Sequence, residues 1–361
     1  GRLAGAVALA AGLYQLTPLK ARCLRHCHAP TSLSLPQGTH RDGLARAFLQ
    51  RAGWGMAERK FLAADSSTRR YDRLVRGAET AVLMDAPPPF AEDPALFLAI
   101  ADYLAGCDLS PPRCLAKDVP NGFLLLEDLG DGIFARLVEA DPALERPLYR
   151  LATQVLLHLQ AQIPPPGPTN LTAEDWGDAA GFALDWYRFA ITGERCDTTA
   201  FCDTVAATLH RHADGPRVTI LRDYHAENLL WLPDRQGLAQ IGLLDFQLAQ
   251  LGQPGYDLVS LLQDARRDVS LTTEAAMIRH FVESGGHAEA QFSAAYAVLG
   301  AQRALRILGI FARLCLNGGK PGYLRMIPRV WGQLWRNLAA PELSDLAELC
   351  RALLPEPTPE N

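Results

Sequence analysis

The chain has 361 residues, 48% hydrophobic and 21% charged, the balance of a soluble globular protein long enough for two or three packed units. A formal charge of -5, with Lys20, Lys60, Lys117 and Lys320 as the only lysines, argues against a nucleic-acid partner, which leaves a basic footprint. Eight scattered cysteines without a disulfide-framework spacing favour reduced thiols and a cytoplasmic location.

Residues 1–40 read as an N-terminal extension outside the functional argument. "LAGAVALAAGLY" is apolar but shorter than the roughly 20 residues that a bilayer span needs. Arg2 is a thin cationic start for a signal peptide. "LYQLTPLKARCLRHC" resembles a segment of a bacterial multi-span membrane protein family. Cys23, His26, Cys27 and His28 crowd together there; zinc accepts such ligands, but the spacing matches no finger pattern. No stable membrane association is expected of residues 41–361.

From Arg41 the pattern becomes regular. "RDGLARAFLQRAGW" places Leu44, Phe48 and Leu49 at helical spacing. "AERKFLAADSSTRRYDRLVRGAETAVLMDAPP" predicts three strands joined by turns, the last stopped by Pro87, Pro88 and Pro89. "DPALFLAIADYLAGC" predicts a helix with Phe97, Ile100 and Leu104 on one side. Two more strands follow around the turn Pro120-Asn121-Gly122. Beyond Gly130 helices dominate, over 148–162, 179–192, 199–213, 275–285 and 292–316. Two short strand pairs interrupt them, and the first encloses "LRDYHAENLLWL" as a polar hairpin. The expected plan is α+β with two lobes: a strand-rich N-lobe over 41–130 that binds nucleotide, and a mostly helical C-lobe over 131–361.

That polar loop sets Arg222, Asp223, His225, Glu227 and Asn228 between "VTI" and "LLWL". So many buried polar groups cost free energy unless each has a partner, and a site is one reason to accept the cost. "RDYHAEN", with Asn228 five positions after Asp223, resembles the kinase pattern H-R-D-x-x-x-x-N. "LLDFQLA" supplies Asp245, "LGQPGYDLVSLL" supplies Asp257, and "LLLEDLGD" resembles a lobe-connecting hinge. Together these segments, over about residues 44–335, resemble the aminoglycoside phosphotransferase family, whose fold is protein-kinase-like.

The resemblance implies ATP and Mg²⁺ as cofactors. It implies Asp223 as the catalytic residue that accepts or orients the substrate proton, and Asn228 and Asp245 as metal ligands. Hard oxygen ligands suit Mg²⁺, which shares them with phosphates. Glu127 and Leu129 are then expected to meet adenine through their backbone. Asp257 is expected to be structural, as a helix N-cap and, by the resemblance, a brace of the catalytic loop. Read singly, each has an ordinary alternative as a turn cap, loop hydrogen bond or strand-end acid.

Two departures stand out. Leu221 replaces the histidine before R-D. Met84 in "AVLM" stands where the strand lysine of V-A-I-K belongs, and G-x-G-x-x-G is missing from "ADSSTRRY". That turn offers Ser66, Ser67, Thr68, Arg69 and Arg70 to the nucleotide. Arg69, Arg70 or Lys117 is expected to replace the absent ammonium, arginine being a good phosphate ligand. "AADSSTRRYDRL", "AVLMDAPP", "EDLGD" and "GKPGYLRMIPRVW" together resemble one branch, the anomeric sugar kinases acting on N-acetylmuramate and N-acetylglucosamine. That likeness implies an amino-sugar substrate phosphorylated at C1 for cell-wall recycling. His225, Glu227, Asp264, Arg266 and Arg267 are candidates for holding it, with Trp186 or Tyr187 as a stacking wall. The alternatives are another small-molecule kinase (aminoglycoside-, choline- or homoserine-like) and a non-catalytic nucleotide-binding scaffold suggested by Met84. Oligomeric state is left open by the sequence.

Overall fold

The computed structural model describes residues 37–64, 69–89 and 91–358, in two compact units, residues 1–55 and 56–361. Ser66, Ser67 and Thr68, like Cys23, His26, Cys27 and His28, lie outside the described residues. In the first unit, helix α1 (Gln37–Arg51) is followed by a turn in which the Trp54 amide donates to the Leu49 carbonyl at 2.8 Å.

The second unit opens with an antiparallel sheet of β1 (Glu58–Ala64), β2 (Arg70–Arg76), β3 (Glu79–Asp85), β4 (Cys114–Asp118) and β5 (Phe123–Glu127), ordered β1-β2-β3-β5-β4. β5 is an interior strand between β3 and β4, and its run Phe123 to Leu126 is buried throughout, so it reads as continuously apolar instead of alternating. β2 buries Asp72 to 1% exposure. Arg59 at 2.6 Å and Arg70 at 3.0 Å neutralise that carboxylate, without which its burial would be costly. Gly122 turns the chain into β5 with φ of 74°, and a Cβ there would strike the Ala86 carbonyl. Helix α2 (Pro94–Gly106) starts where Asp93 accepts from the Ala95 amide, with Pro94 in the first turn. Its Phe97, Ile100 and Leu104 are buried, and the Phe97 ring meets Phe246 with centroids 4.9 Å apart. One hydrophobic core thus runs from the sheet and α2 into the helical half.

That half contains α3 (Phe134–Ala140), α4 (Glu145–Gln160), α5 (Ala173–Ala180), α6 (Phe189–Thr192), α7 (Thr199–His212), α8 (Tyr256–Leu262), α9 (Leu271–Gly285), α10 (Glu289–Leu316), α11 (Ile327–Leu338) and α12 (Ser344–Leu353). The helix predicted over 179–192 is broken: α5 ends, a π-helical turn spans Ala183–Arg188, and α6 is short. Just before the widened turn, the Phe182 carbonyl lies against Gly309 of α10, where no side chain would fit. α10 is long and apolar enough to cross a membrane, but 78% of its most apolar window is buried within the fold; it is the core helix on which α5, α7, α8 and α11 pack.

The four short strands pair differently from the expected hairpin. β6 (Val218–Ile220) pairs with β9 (Gln250–Gly252), and β7 (Leu229–Trp231) pairs with β8 (Ile241–Leu243). Residues 221–228 therefore bridge two separate ribbons. Bonds from α8 fix the first residues of that loop.

Candidate active site

The 221–228 loop is fixed from both ends. Asp257, fully buried in the first turn of α8, accepts from the Leu221 amide at 2.6 Å and the Arg222 amide at 2.8 Å. The Ser260 hydroxyl donates to the Arg222 carbonyl at 3.1 Å. These three bonds hold Arg222 at φ of 70°, a left-handed conformation that a non-glycine residue keeps only when its surroundings enforce it. At the other end the Asn228 side-chain NH₂ donates to the Asp223 carbonyl at 2.8 Å, closing the loop on itself. The helix N-cap expected at Asp257 is occupied by Gly255; Asp257 spends both carboxylate oxygens on a loop 35 and 36 positions away.

Asp245 reaches the same place through the neighbouring ribbon. The Leu244 amide donates to the Asn228 carbonyl at 3.0 Å, and the chain then turns at Asp245 with φ of 55°. Oδ1 of Asp245 accepts from Gln247 at 2.8 Å and from Arg69 at 3.1 Å. Arg69 is 4% exposed and also approaches Glu92 at 3.6 Å. A guanidinium thus sits buried between two carboxylates beside Asp245. Met84 lies in the core at 1% exposure.

A cavity of about 1030 Å³ opens above these groups. Asp223, His225, Glu227, Asn228 and Asp245 line it together, with Glu127 and Leu129 on the sheet side and Arg266 opposite. Of the remaining predicted residues, Arg70 is an exposed strand residue paired with Asp72 at 3.0 Å, and Lys117 is exposed on β4. Asp264 is fully buried, receiving the Arg266 amide at 2.8 Å. Arg267 bonds to the Tyr149 hydroxyl at 2.6 Å and Glu145 at 3.3 Å, and does not line the cavity. Neither do Trp186 and Tyr187: Tyr187 is buried with its hydroxyl on the Pro355 carbonyl, and Trp186 stacks under Arg195.

The electrostatics are uneven. Burial, then the charges of Arg266 and Arg303, hold the His225 imidazole well below its ordinary pKa, so it is neutral. Its Nδ1 is buried without a partner among the described residues. Burial works to raise the Glu127 carboxyl, but bonds from Arg113 and Arg235 overcome it and hold it below its ordinary range. Burial pushes the Asp257 carboxyl up to about 7 against the two amides that favour its charged form.

Two oxygen donors suit a divalent cation. The Asn228 NH₂ is spent on the loop, and no hydrogen bond among the described residues ends on its Oδ1. The Asp245 carboxylate lines the same cavity. No cluster of three or more His, Cys, Asp or Glu side chains forms a metal site among the described residues. A sparse oxygen set is what Mg²⁺ uses when phosphates supply the other ligands. Sequence reasoning missed Glu92 and Gln247 as partners of the Arg69–Asp245 contact, and missed Arg303 and Arg306, which line the cavity from α10. "AQRALRIL" carries those two arginines three apart in an otherwise apolar helix, a signal visible in hindsight.

Comparison with known proteins adds a separate line. A profile of the phosphotransferase enzyme family matches residues 58–292, and a profile described as a copper chaperone matches residues 1–57. The N-acetylmuramate/N-acetylglucosamine kinase of Caulobacter vibrioides is 37% identical, over 85% of this chain and 95% of that protein. The protein of the same name from Pseudomonas aeruginosa is 34% identical, over 83% and 91%. Among solved structures, a choline/ethanolamine kinase family protein from Mesorhizobium loti superposes with a TM-score of 0.59 at 16% identity, covering 86% of this chain and 99% of the other. An ADP-bound aminoglycoside phosphotransferase gives 0.56 at 11%, covering 82% and 98%. At such identities the structural likeness speaks for the two-lobed kinase-like fold alone.

Proposed function

The chain belongs to the phosphotransferase enzyme family, and from that premise we propose that it transfers the γ-phosphoryl group of ATP to the anomeric C1 hydroxyl of N-acetylmuramate or N-acetylglucosamine, in cell-wall recycling. The observation that carries the substrate is the pair of relatives bearing that name at 37% and 34% identity over more than four-fifths of the chain. The cavity agrees with it. Arg222, Arg266, Arg303 and Arg306 line the cavity together with acids that include Asp223, Glu227 and Asp245, and near those four arginines a neutral or acidic sugar is favoured over the cationic acceptors of aminoglycoside and choline kinases.

In this reading Asp223 receives the proton of the attacking hydroxyl. An anomeric hydroxyl is more acidic than an ordinary alcohol, so a carboxylate suffices as base. Asn228 Oδ1 and the Asp245 carboxylate hold Mg²⁺, which when bound neutralises phosphate charge. Arg69, which does not itself line the cavity but is held by Glu92 and by the cavity-lining Asp245, takes over from the absent strand lysine in gripping the nucleotide phosphates. The Glu127 amide is already donated to the Arg113 carbonyl at 2.8 Å, which leaves the Glu127 carbonyl and the Leu129 amide for adenine. Phosphoryl transfer asks a protein mainly to position groups and neutralise charge, and every role here is of that kind.

The site of transfer has a direct test. ³¹P NMR of the product formed from ATP, Mg²⁺ and either sugar should give a phosphorus signal coupled to the anomeric proton. A signal coupled to the C6 protons would show that a different hydroxyl reacts.

A further inference from the structure

Three guanidinium groups line the cavity with Asp223, and none of them is ion-paired among the described residues. Arg303 is 5% exposed and donates to the Gln263 carbonyl at 3.2 Å and the Ser260 hydroxyl at 3.0 Å. Arg306, one turn further along α10, donates to the Tyr256 hydroxyl at 3.2 Å. Arg222 leaves its Nε buried and unpartnered among the described residues. None of the three forms an ion pair with any described carboxylate, in a chain where Arg59, Arg69, Arg73, Arg235, Arg267 and Arg329 all do. Of the nearby acids, Asp257 holds the Leu221 and Arg222 amides and Asp264 holds the Arg266 amide, while Asp223 attracts Arg222 and Arg303 without forming an ion pair with either. Burial first, with repulsion from Arg306, lowers the pKa of both Arg222 and Arg303 against the attraction of Asp223.

Unpaired buried charge is strongly destabilising. Hydrogen bonds to neutral oxygens offset only part of that cost, so the arrangement is best explained by an anion that arrives with a ligand. All three arginines line the cavity. The cations on α10 lie next to Ile307, Ile310 and Phe311, which continue the same wall. A charged spot beside an apolar wall fits a carboxylate attached to a small hydrocarbon group. Bare phosphate has no use for the apolar part.

We propose that Arg222, Arg303 and Arg306 form a carboxylate-recognising subsite that makes this protein prefer an amino sugar bearing an acidic ether substituent, N-acetylmuramate, over its uncharged counterpart N-acetylglucosamine. The proposal rests on the sugar-kinase reading above and sharpens it. It also moves carboxylate recognition away from Arg267, which is tied to Tyr149 and Glu145. Arg266, exposed at the cavity rim, adds long-range attraction.

The test compares kcat/KM for N-acetylmuramate, its uncharged methyl ester and N-acetylglucosamine with ATP and Mg²⁺, in wild type, Arg306→Gln and Arg306→Lys. A charged hydrogen-bond partner lost from a desolvated site corresponds to roughly a 10- to 100-fold loss. Wild type should favour N-acetylmuramate over the ester by about that factor, the preference should largely vanish in Arg306→Gln, and Arg306→Lys should restore part of it. The ester comparison needs no variant, so a folding defect in Arg306→Gln does not remove the test. Equal use of acid and ester by wild type overturns the subsite and leaves the sugar-kinase reading standing. An Arg306→Gln variant that loses both sugars equally through a raised KM for ATP also overturns it, assigning the arginines to the nucleotide phosphates. No turnover with any of the three sugars refutes the sugar-kinase reading itself.

Discussion

Arg69 and Met84 show how one charge can change its place in the sequence while keeping its place in space. Tyr71 of β2 pairs with Met84 of β3, so Arg69 lies only two residues before the strand position that faces Met84. From there its side chain reaches Asp245, and Glu92 steadies it from the other side. Of the three cations expected to replace the lysine, Arg70 points to Asp72 and stacks on Phe61 at 5.6 Å, while Lys117 is exposed on β4. Arg69→Ala should therefore weaken nucleotide binding by about tenfold or more, the usual scale for a lost charge-assisted contact. Arg70→Ala should change it little. Titration of both variants with a non-hydrolysable ATP analogue decides the matter, and equal effects of the two would remove Arg69 from its role. The sequence named Arg69 as a candidate because arginine suits phosphate. It did not single it out from Arg70, because alternation along a strand shows which residue is buried only once the strand's start and its bulge are known, and here β1 slips register against β2 between Phe61 and Ala63.

At the scale of elements, the loop at 221–228 depends on α8. The residue pattern alone reads Asp257 as a cap for its own helix; only the family resemblance pointed it at the catalytic loop, and its bonds run to that loop, 35 and 36 residues away. The hairpin misreading has a similar origin, since two adjacent strands favour a local pairing in sequence, whereas each pairs with a later strand, β6 with β9 and β7 with β8. The brace has a pH signature. Burial raises the Asp257 carboxyl from 3.8 to about 7, so between those values the folded state keeps a proton that the unfolded chain releases. Stability from this group is then greatest at the acidic end and declines as pH rises through about 7. Asp257→Asn cannot titrate and lacks that slope. Relative to wild type, the variant should gain roughly 2 kcal/mol between pH 5.5 and pH 8, since each pH unit below 7 corresponds to about 1.4 kcal/mol. Thermal unfolding at the two pH values measures it; parallel curves for both proteins would show that the carboxyl is already charged at pH 5.5.

For the whole molecule, the two-lobed plan was legible because strands end in proline and glycine turns before Gly130 and amphipathic helices follow it. The loop acids were legible because polar residues inside an apolar stretch demand a reason. The short α3 and the terminal α11 and α12 were not read. The inner wall of the cavity was not legible either: α10 is apolar nearly all round, so nothing in its periodicity says which side carries Arg303 and Arg306 toward the site. In the proposed reaction Asp223, Asn228 and Asp245 act on one magnesium–nucleotide in the shared cavity to phosphorylate an amino sugar. Steady-state ADP release with ATP, Mg²⁺ and N-acetylmuramate or N-acetylglucosamine, compared between wild type and Asp223→Asn, tests it most directly. Wild type should show sugar-dependent turnover and the variant a loss of about 10²- to 10⁴-fold, the range for a general base, with nucleotide affinity retained. A variant that turns over at nearly the wild-type rate would contradict it.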